Sequence, residues 1–141
     1  MFRDARALTR NRLLPGAFVS SAKYIKAQQL RAALCREMAE AMRDLDAVVT
    51  LSSLLLPCRI DDAAAIAKTY DQQARLVFNV TGTPAISVPT GFTASGIPLA
   101  MQIAGHSFGE PMVYRVAQAY EAATGFADRR PPIKLAERAV A

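Results

Sequence analysis

Residues 78–92, FNVTGTPAISVPTGF, combine turn-forming residues with a short β-branched run. Gly82 and Pro84 predict a sharp turn into a strand, because glycine reaches backbone angles that other residues avoid and proline restricts its own φ. Pro89 is expected to end that strand, and Gly91 to adopt an angle that a side chain would disfavour. No side chain here suits acid–base work, so the stretch predicts backbone geometry rather than a reaction centre.

Outward from this stretch, the sequence predicts an α/β fold with a few mixed strands flanked by helices. A helix that leads directly into a β-branched run is typical of an α/β unit. Ser95-Gly96 lies between the last two extended runs and predicts an antiparallel hairpin. Helices are expected at about residues 21–44, 62–76 and 110–124, and strands at about 46–52, 85–89 and 98–104.

The helices are supported by apolar spacing and by capping signals. One apolar stripe marks the first helix: Ala27, Leu30, Leu34, Met38, Ala41 and Leu45. Side-chain oxygens can cap the first two helices, from Ser20 or Ser21 and from Asp61 or Asp62. Pro111 in the first turn and Gly125 after the last turn delimit the third helix.

The composition indicates one globular unit, a single partial domain over residues 1–141. Apolar residues make up 52% of the chain and charged residues 21%, which is too apolar for a disordered chain. No apolar run approaches the roughly 18–20 residues that a membrane span requires. The basic start lacks the apolar core of a secretory signal, so the expected compartment is the cytoplasm and no membrane partner is expected.

The net charge of +5 raises the alternative of a small basic RNA-binding domain. Seven of the 17 basic residues lie in the first 31 positions: Arg3, Arg6, Arg10, Arg12, Lys23, Lys26 and Arg31. They are spread around a helical segment rather than along one face, and aromatic residues do not alternate with them as a single-strand binder requires. A solvated surface is therefore favoured, and no nucleic-acid partner is expected.

Candidate chemistry in the residues themselves is sparse. Cys35 and Cys58 stand 23 positions apart and the chain has one histidine, which excludes a tetrahedral zinc site from this chain alone and favours two buried or half-buried thiols. A serine triad would need His106, with Ser87, Ser107 or a cysteine as nucleophile, but an ordinary polar loop histidine is the favoured interpretation. The paired serines Ser52-Ser53 follow a strand and lack flanking glycines for an oxyanion hole. The residues predict an α/β scaffold with no catalytic residue, metal site or cofactor.

The pattern FNVTGTPAISVPTGF…SGIPLAMQIAG…RVAQAYE resembles the C-terminal region of amidase-signature enzymes, serine hydrolases that include one of the subunits of glutamyl-tRNA amidotransferase. The upstream segments GAFVSSAKYIKAQQLR and DLDAVVTLSSLLLPCRIDD also resemble the preceding helix and strand of that family, so the likeness covers nearly the whole chain. The resemblance assigns a structural motif to eight positions: Asn79, Gly82, Pro84, Ser87, Pro89, Gly91, Gln102 and Gly105.

The resemblance implies a hydrolase of carboxamide C–N bonds that is incomplete as it stands. The family uses a Ser–cis-Ser–Lys triad in a Gly/Ser-rich loop of its N-terminal portion. This sequence has no such loop, and none of its lysines, Lys23, Lys26, Lys68 and Lys134, lies in that context. The chain is thus expected to be a C-terminal segment that begins at an internal methionine, is inactive alone, and joins an N-terminal amidase portion or self-associates.

Two further points of the resemblance concern the type of enzyme. Residues 75–79, RLVFN, and Leu51 depart from patterns frequent in relatives, and the departures favour a general amidase over an amidotransferase component. The alternative function is a non-enzymatic split half or subunit that associates with a separate N-terminal chain. The amide substrate, which only the complete enzyme would bind, is not specified by the sequence.

Overall fold

The computed structural model describes residues 9–10, 13–70 and 73–130, and the chain divides into two compact units, Met1–Ala41 and Met42–Ala141. In the first unit, a 3₁₀ helix at Leu14–Phe18 precedes helix α1, Ser21–Ala41. Lys23 N donates to Ser20 Oγ at 3.4 Å, which confirms Ser20 as the cap.

Helix α1 differs from its prediction in length and in burial. It ends at Ala41 rather than near residue 44, because the chain turns there and Leu45 N donates to Met42 O at 3.0 Å. No described residue of α1 is buried, and the stripe residues Leu30 and Leu34 are 56% and 45% exposed. Correct spacing therefore produced an apolar helix face, but the described part of the first unit contains nothing that buries it.

The second unit confirms the α/β class and the three predicted strands. Its elements are, in chain order, β1 (Val48–Leu51), α2 (Ala63–Tyr70), α3 (Leu76–Thr81), β2 (Ala85–Phe92), β3 (Pro98–Ala104), α4 (Glu110–Thr124) and a 3₁₀ helix (Phe126–Asp128). Asp62 caps α2, since its Oδ1 accepts from Ala65 N at 2.9 Å. Gly125 ends α4 in the left-handed region at φ 65°, as predicted.

The helix predicted at residues 62–76 was wrong in extent. Helix α2 spans Ala63–Tyr70, and residues 71–72 of the prediction lie outside the described residues, as does the tail after residue 130. Helix α3 was not predicted, because it is only six residues long and too short to show a helical period. Gly82, expected to turn the chain into a strand, instead ends α3 at φ 76°, and its N–H donates to Phe78 O at 2.8 Å.

The three strands form one sheet in the order β1-β3-β2, and both pairings are antiparallel. The predicted hairpin is confirmed: Gly96 has φ 82° and its N–H donates to Thr93 O at 2.9 Å. The prediction that Pro89 ends its strand was wrong, since β2 continues to Phe92. Proline is tolerated there because β2 is an edge strand of this sheet and its register shifts between Pro89 and Gly91.

One face of the sheet is covered by α4. Residues directly opposite each other in an antiparallel pair share a face, which places Ile86 and Val49 beside Ile103. The buried cluster on this face is formed by Val88, Ile103, Val113 and Ala117. At the β1 end the cover stops, and Val49 is 58% exposed.

Candidate functional site

A polar row crosses the opposite face of the sheet. In β1, Thr50 is paired with Gln102 of β3, and Gln102 is paired with Ser87 of β2. Side chains paired in this way have Cβ atoms about 4.5–5.5 Å apart on one face. Gln102 is 6% exposed, whereas Ser87 is exposed. The row therefore runs from a buried centre to an open edge.

The buried part of this row has polar atoms without partners. Within the described ranges, Gln102 Nε2, Thr50 Oγ1 and Ser52 Oγ are buried and make no hydrogen bond. Burying such a group unpaired costs about 1–3 kcal/mol, and buried polar groups in complete proteins are rarely left so. These atoms indicate that the polar face is suited to a hydrogen-bonding partner beyond the described residues.

The eight predicted motif positions lie along a single stretch of this unit. Asn79 is in α3 and Gly82 ends it; Ser87, Pro89 and Gly91 lie in β2, and Gln102 lies in β3. Pro84 and Gly105 flank the two strands and are bonded to each other, since Gly105 N donates to Pro84 O at 3.0 Å.

Gly105 also marks a close approach between β3 and α4. A Cβ placed on Gly105 would lie 2.6 Å from Val113 Cγ2, a distance that bonded neighbours alone can tolerate. The glycine therefore allows α4 to lie against the end of the sheet. Its contribution is packing of the backbone, in agreement with the structural role that the resemblance implies.

The candidate nucleophiles and the histidine are not brought together as a triad. His106 is exposed, and its Nε2 lies 2.8 Å from Leu45 O. Ser53 Oγ donates to Leu55 O at 2.9 Å and so forms part of a turn. Across the parts of the chain that the structure covers, no serine hydroxyl is hydrogen-bonded to a histidine or a lysine.

The cysteines are half-buried thiols, as predicted, with Cys58 Sγ 3.6 Å from Thr69 Oγ1. The ionisable pair with shifted pKa values is Arg59–Asp61, in which Nε and Nη2 donate to the two carboxylate oxygens at 2.9 and 2.7 Å. This pairing lowers the pKa of Asp61 below its ordinary value. None of the helices in the described ranges has the length and apolar content needed to cross a membrane.

Sequence reasoning identified Gln102 but missed Thr50 and Ser52 as its companions. Strand alternation alone could have placed Thr50 on the face opposite Val49 and Leu51. The pairing of β1 with β3 could not be read from the sequence, because the two strands are separated by about 50 residues with two helices and β2 between them. That pairing is what assembles the polar row.

Comparison with known proteins identifies the family. The Amidase family model matches residues 3–114. The Granulibacter bethesdensis glutamyl-tRNA(Gln) amidotransferase, in its A-type subunit, is 35% identical over 136 residues, covering 87% of this chain and 26% of that protein. A putative amidase, AmiD, of Mycobacterium bovis is 29% identical over 123 residues, covering 84% of this chain and 26% of that protein.

The fold agrees with the sequence relatives. The crystal structure of the corresponding glutamyl-tRNA(Gln) amidotransferase subunit from Thermotoga maritima superposes with a TM-score of 0.63 and 30% identity, over 82% of this chain and 26% of that one. The chain thus spans about a quarter of the length of the relatives it matches. With a family model that matches most of its residues and the same local fold, the chain belongs to the amidase family.

Proposed function

We propose that this chain is the C-terminal structural segment of an amidase-signature serine hydrolase that cleaves carboxamide C–N bonds. In the whole enzyme the amide would acylate a serine, which water would then release. This segment would supply three strands, the covering helix α4 and the polar row Thr50–Gln102–Ser87. The chain alone would carry out no step of that reaction.

The carrying observation is the family match over about a quarter of each relative, combined with the absence from this sequence of the Gly/Ser-rich loop that holds the family's triad. Nucleophilic catalysis requires a base placed beside the nucleophile. In the described residues His106 bonds a backbone carbonyl instead. Whether the full enzyme is a general amidase or an amidotransferase component is left open, because relatives of both names match.

The surfaces of the second unit support a partner that completes the sheet. Strand β1 is an edge of the sheet, and its Val49 and Leu51 are 58% and 57% exposed. Beside them lie the unpartnered buried atoms of Thr50 and Gln102. An open, apolar edge next to polar groups that lack partners is suited to further strands of the same domain. The partner is therefore proposed to be the N-terminal amidase portion, on the same or on a separate chain; with a separate chain this is the split-half alternative.

The activity test uses the purified chain with aliphatic and aryl amides. We expect no hydrolysis above the uncatalysed background, because no nucleophile–base pair is present to lower the barrier. Ser87→Ala and His106→Ala serve as matched variants. Turnover by the chain that disappears in either variant would contradict the proposal and establish a local triad.

The partner test compares the chain alone with the chain co-expressed with the N-terminal portion of an amidase relative. Alone, we expect self-association or aggregation through the β1 edge; together, we expect a soluble complex in size-exclusion chromatography. A monodisperse monomer that melts in one cooperative transition would show a self-sufficient domain and refute the proposal.

A control variant for the polar row is Thr50→Val, which removes the unpartnered hydroxyl and keeps the shape of the side chain. In the isolated chain this change should be neutral or stabilising, because it deletes an unsatisfied buried group. In the complex it should weaken association if the hydroxyl gains a partner there. The same effect in both states would argue against a hydrogen-bonding interface at Thr50.

A further inference from the structure

A second feature of this unit is an open cleft of about 1070 Å³ between the β2–β3 hairpin and the segment that follows α4. Its walls include Phe92 and Leu99 from the hairpin, and Phe126, Arg129 and Arg130 from the segment after the helix. None of these residues belongs to the polar row or to the predicted motif.

The backbone of β2 is adapted to form this cleft. Its register shifts between Pro89 and Gly91, and Gly91 has φ 142°, a conformation that side chains disfavour. Phe126 Cζ lies 3.7 Å from the position that a Cβ on Gly91 would take. The bulge therefore brings the strand against Phe126 and gives the cleft an aromatic wall on each side, with Phe92 opposite.

The charged residues that line the cleft are both basic. The Arg129 guanidinium lies 4.3 Å from the centroid of the Phe92 ring, a cation–π contact that holds its plane over the aromatic face. Within the described residues, the Arg129 guanidinium makes no hydrogen bond, so its N–H groups keep their capacity to donate. Arg130 Nη1 donates to Ala127 O at 2.5 Å, which holds the second guanidinium at the same wall.

We propose that this cleft binds a small carboxylate carried on a flat apolar group, with Arg129 as its anchor. The guanidinium fork matches the two oxygens of a carboxylate, and stacking on Phe92 reduces the freedom that binding would otherwise remove. Phe126 and Leu99 supply apolar surface for a planar ring. The inference does not depend on the proposed hydrolase role, because it uses none of the residues assigned to that role.

The test is equilibrium dialysis of the whole chain against radiolabelled benzoate, a measurement that self-association does not prevent. Acetate tests the contribution of the ring, and benzamide tests the contribution of the charge at nearly constant shape. We expect saturable binding of benzoate, with acetate and benzamide each at least about tenfold weaker. Equal binding of benzamide, or equal binding of acetate, would overturn the proposal.

The variants assign the binding to the cleft. Arg129→Gln should weaken benzoate binding about tenfold or more, whereas Arg115→Gln, at an exposed position of α4 outside the cleft, should not change it. Arg129→Lys keeps the charge but not the fork and should give an intermediate affinity, which controls for misfolding of the glutamine variant. Identical binding by wild type, Arg129→Gln and Arg115→Gln refutes the site. Tighter binding of a hexaglutamate peptide than of benzoate would also refute it, in favour of an acidic protein segment.

Discussion

Replacement of Gly105 by alanine is the most direct test of how the sheet and α4 fit together. Gly105 is buried at the end of β3, and its N–H donates to Pro84 O at 3.0 Å. The added methyl carbon would lie 2.6 Å from Val113 Cγ2 and 3.5 Å from Gly109 O. Favourable carbon–carbon contacts lie at about 3.5–4.0 Å, so α4 or the strand end must move by roughly an ångström.

The expected cost follows from the position of Val113, which is 3% exposed and belongs to the central cluster. Overpacking of a filled core typically costs about 1–3 kcal/mol, and Gly105→Ala should lie in this range. Val113→Ala alone removes two buried methyl groups and should cost about 2 kcal/mol. The double variant removes the clash, so its cost should be below the sum of the two single costs by about 1–3 kcal/mol.

Urea unfolding followed by circular dichroism, at one fixed protein concentration, measures these differences. With a urea dependence of about 1–3 kcal/mol per molar, Gly105→Ala should lower the midpoint by about 1 M. Gly16→Ala is the matched control, because a Cβ there has nothing within 4 Å, and it should change stability by less than about 0.5 kcal/mol. An unchanged midpoint in Gly105→Ala, or strict additivity with Val113→Ala, would refute the proposed packing.

Three other predictions test separate features. RNA binding by the chain should be salt-sensitive and no tighter than the roughly 10⁻⁴–10⁻⁶ M of non-specific contacts; a much tighter affinity in filter binding at physiological salt would favour the RNA-binding alternative. Gly125→Ala should destabilise the chain by about 1 kcal/mol in urea unfolding, because Gly125 has φ 65°; no loss would mean that α4 ends in another way. The carboxylate pKa of Asp61, lowered chiefly by Arg59, should rise in Arg59→Gln when measured by NMR titration, and an unchanged pKa would exclude the pair in solution. A lowered folded-state pKa adds stability above the ordinary pKa, and that stability is lost as the pH falls through the folded value.

Local signals in the sequence determined the elements and the family. Apolar spacing and caps predicted the helices, and the β-branched runs bounded by turns predicted three strands, because these signals act within a few residues of chain. The Ser95-Gly96 turn was sufficient for the β2–β3 hairpin, since a short connection restricts two strands to antiparallel pairing. The motif from Asn79 to Gly105 was sufficient for the amidase family.

Tertiary structure alone decided the pairing of β1 with β3, and with it the row that joins Thr50, Gln102 and Ser87. It also decided that Pro89 lies within a strand, because an edge position and a bulge remove the need for its missing N–H. The carboxylate cleft depends likewise on Gly91 and Phe126 meeting across 35 positions of sequence. Such contacts depend on where distant segments meet in space, and the residue pattern within any one segment carries no information about that.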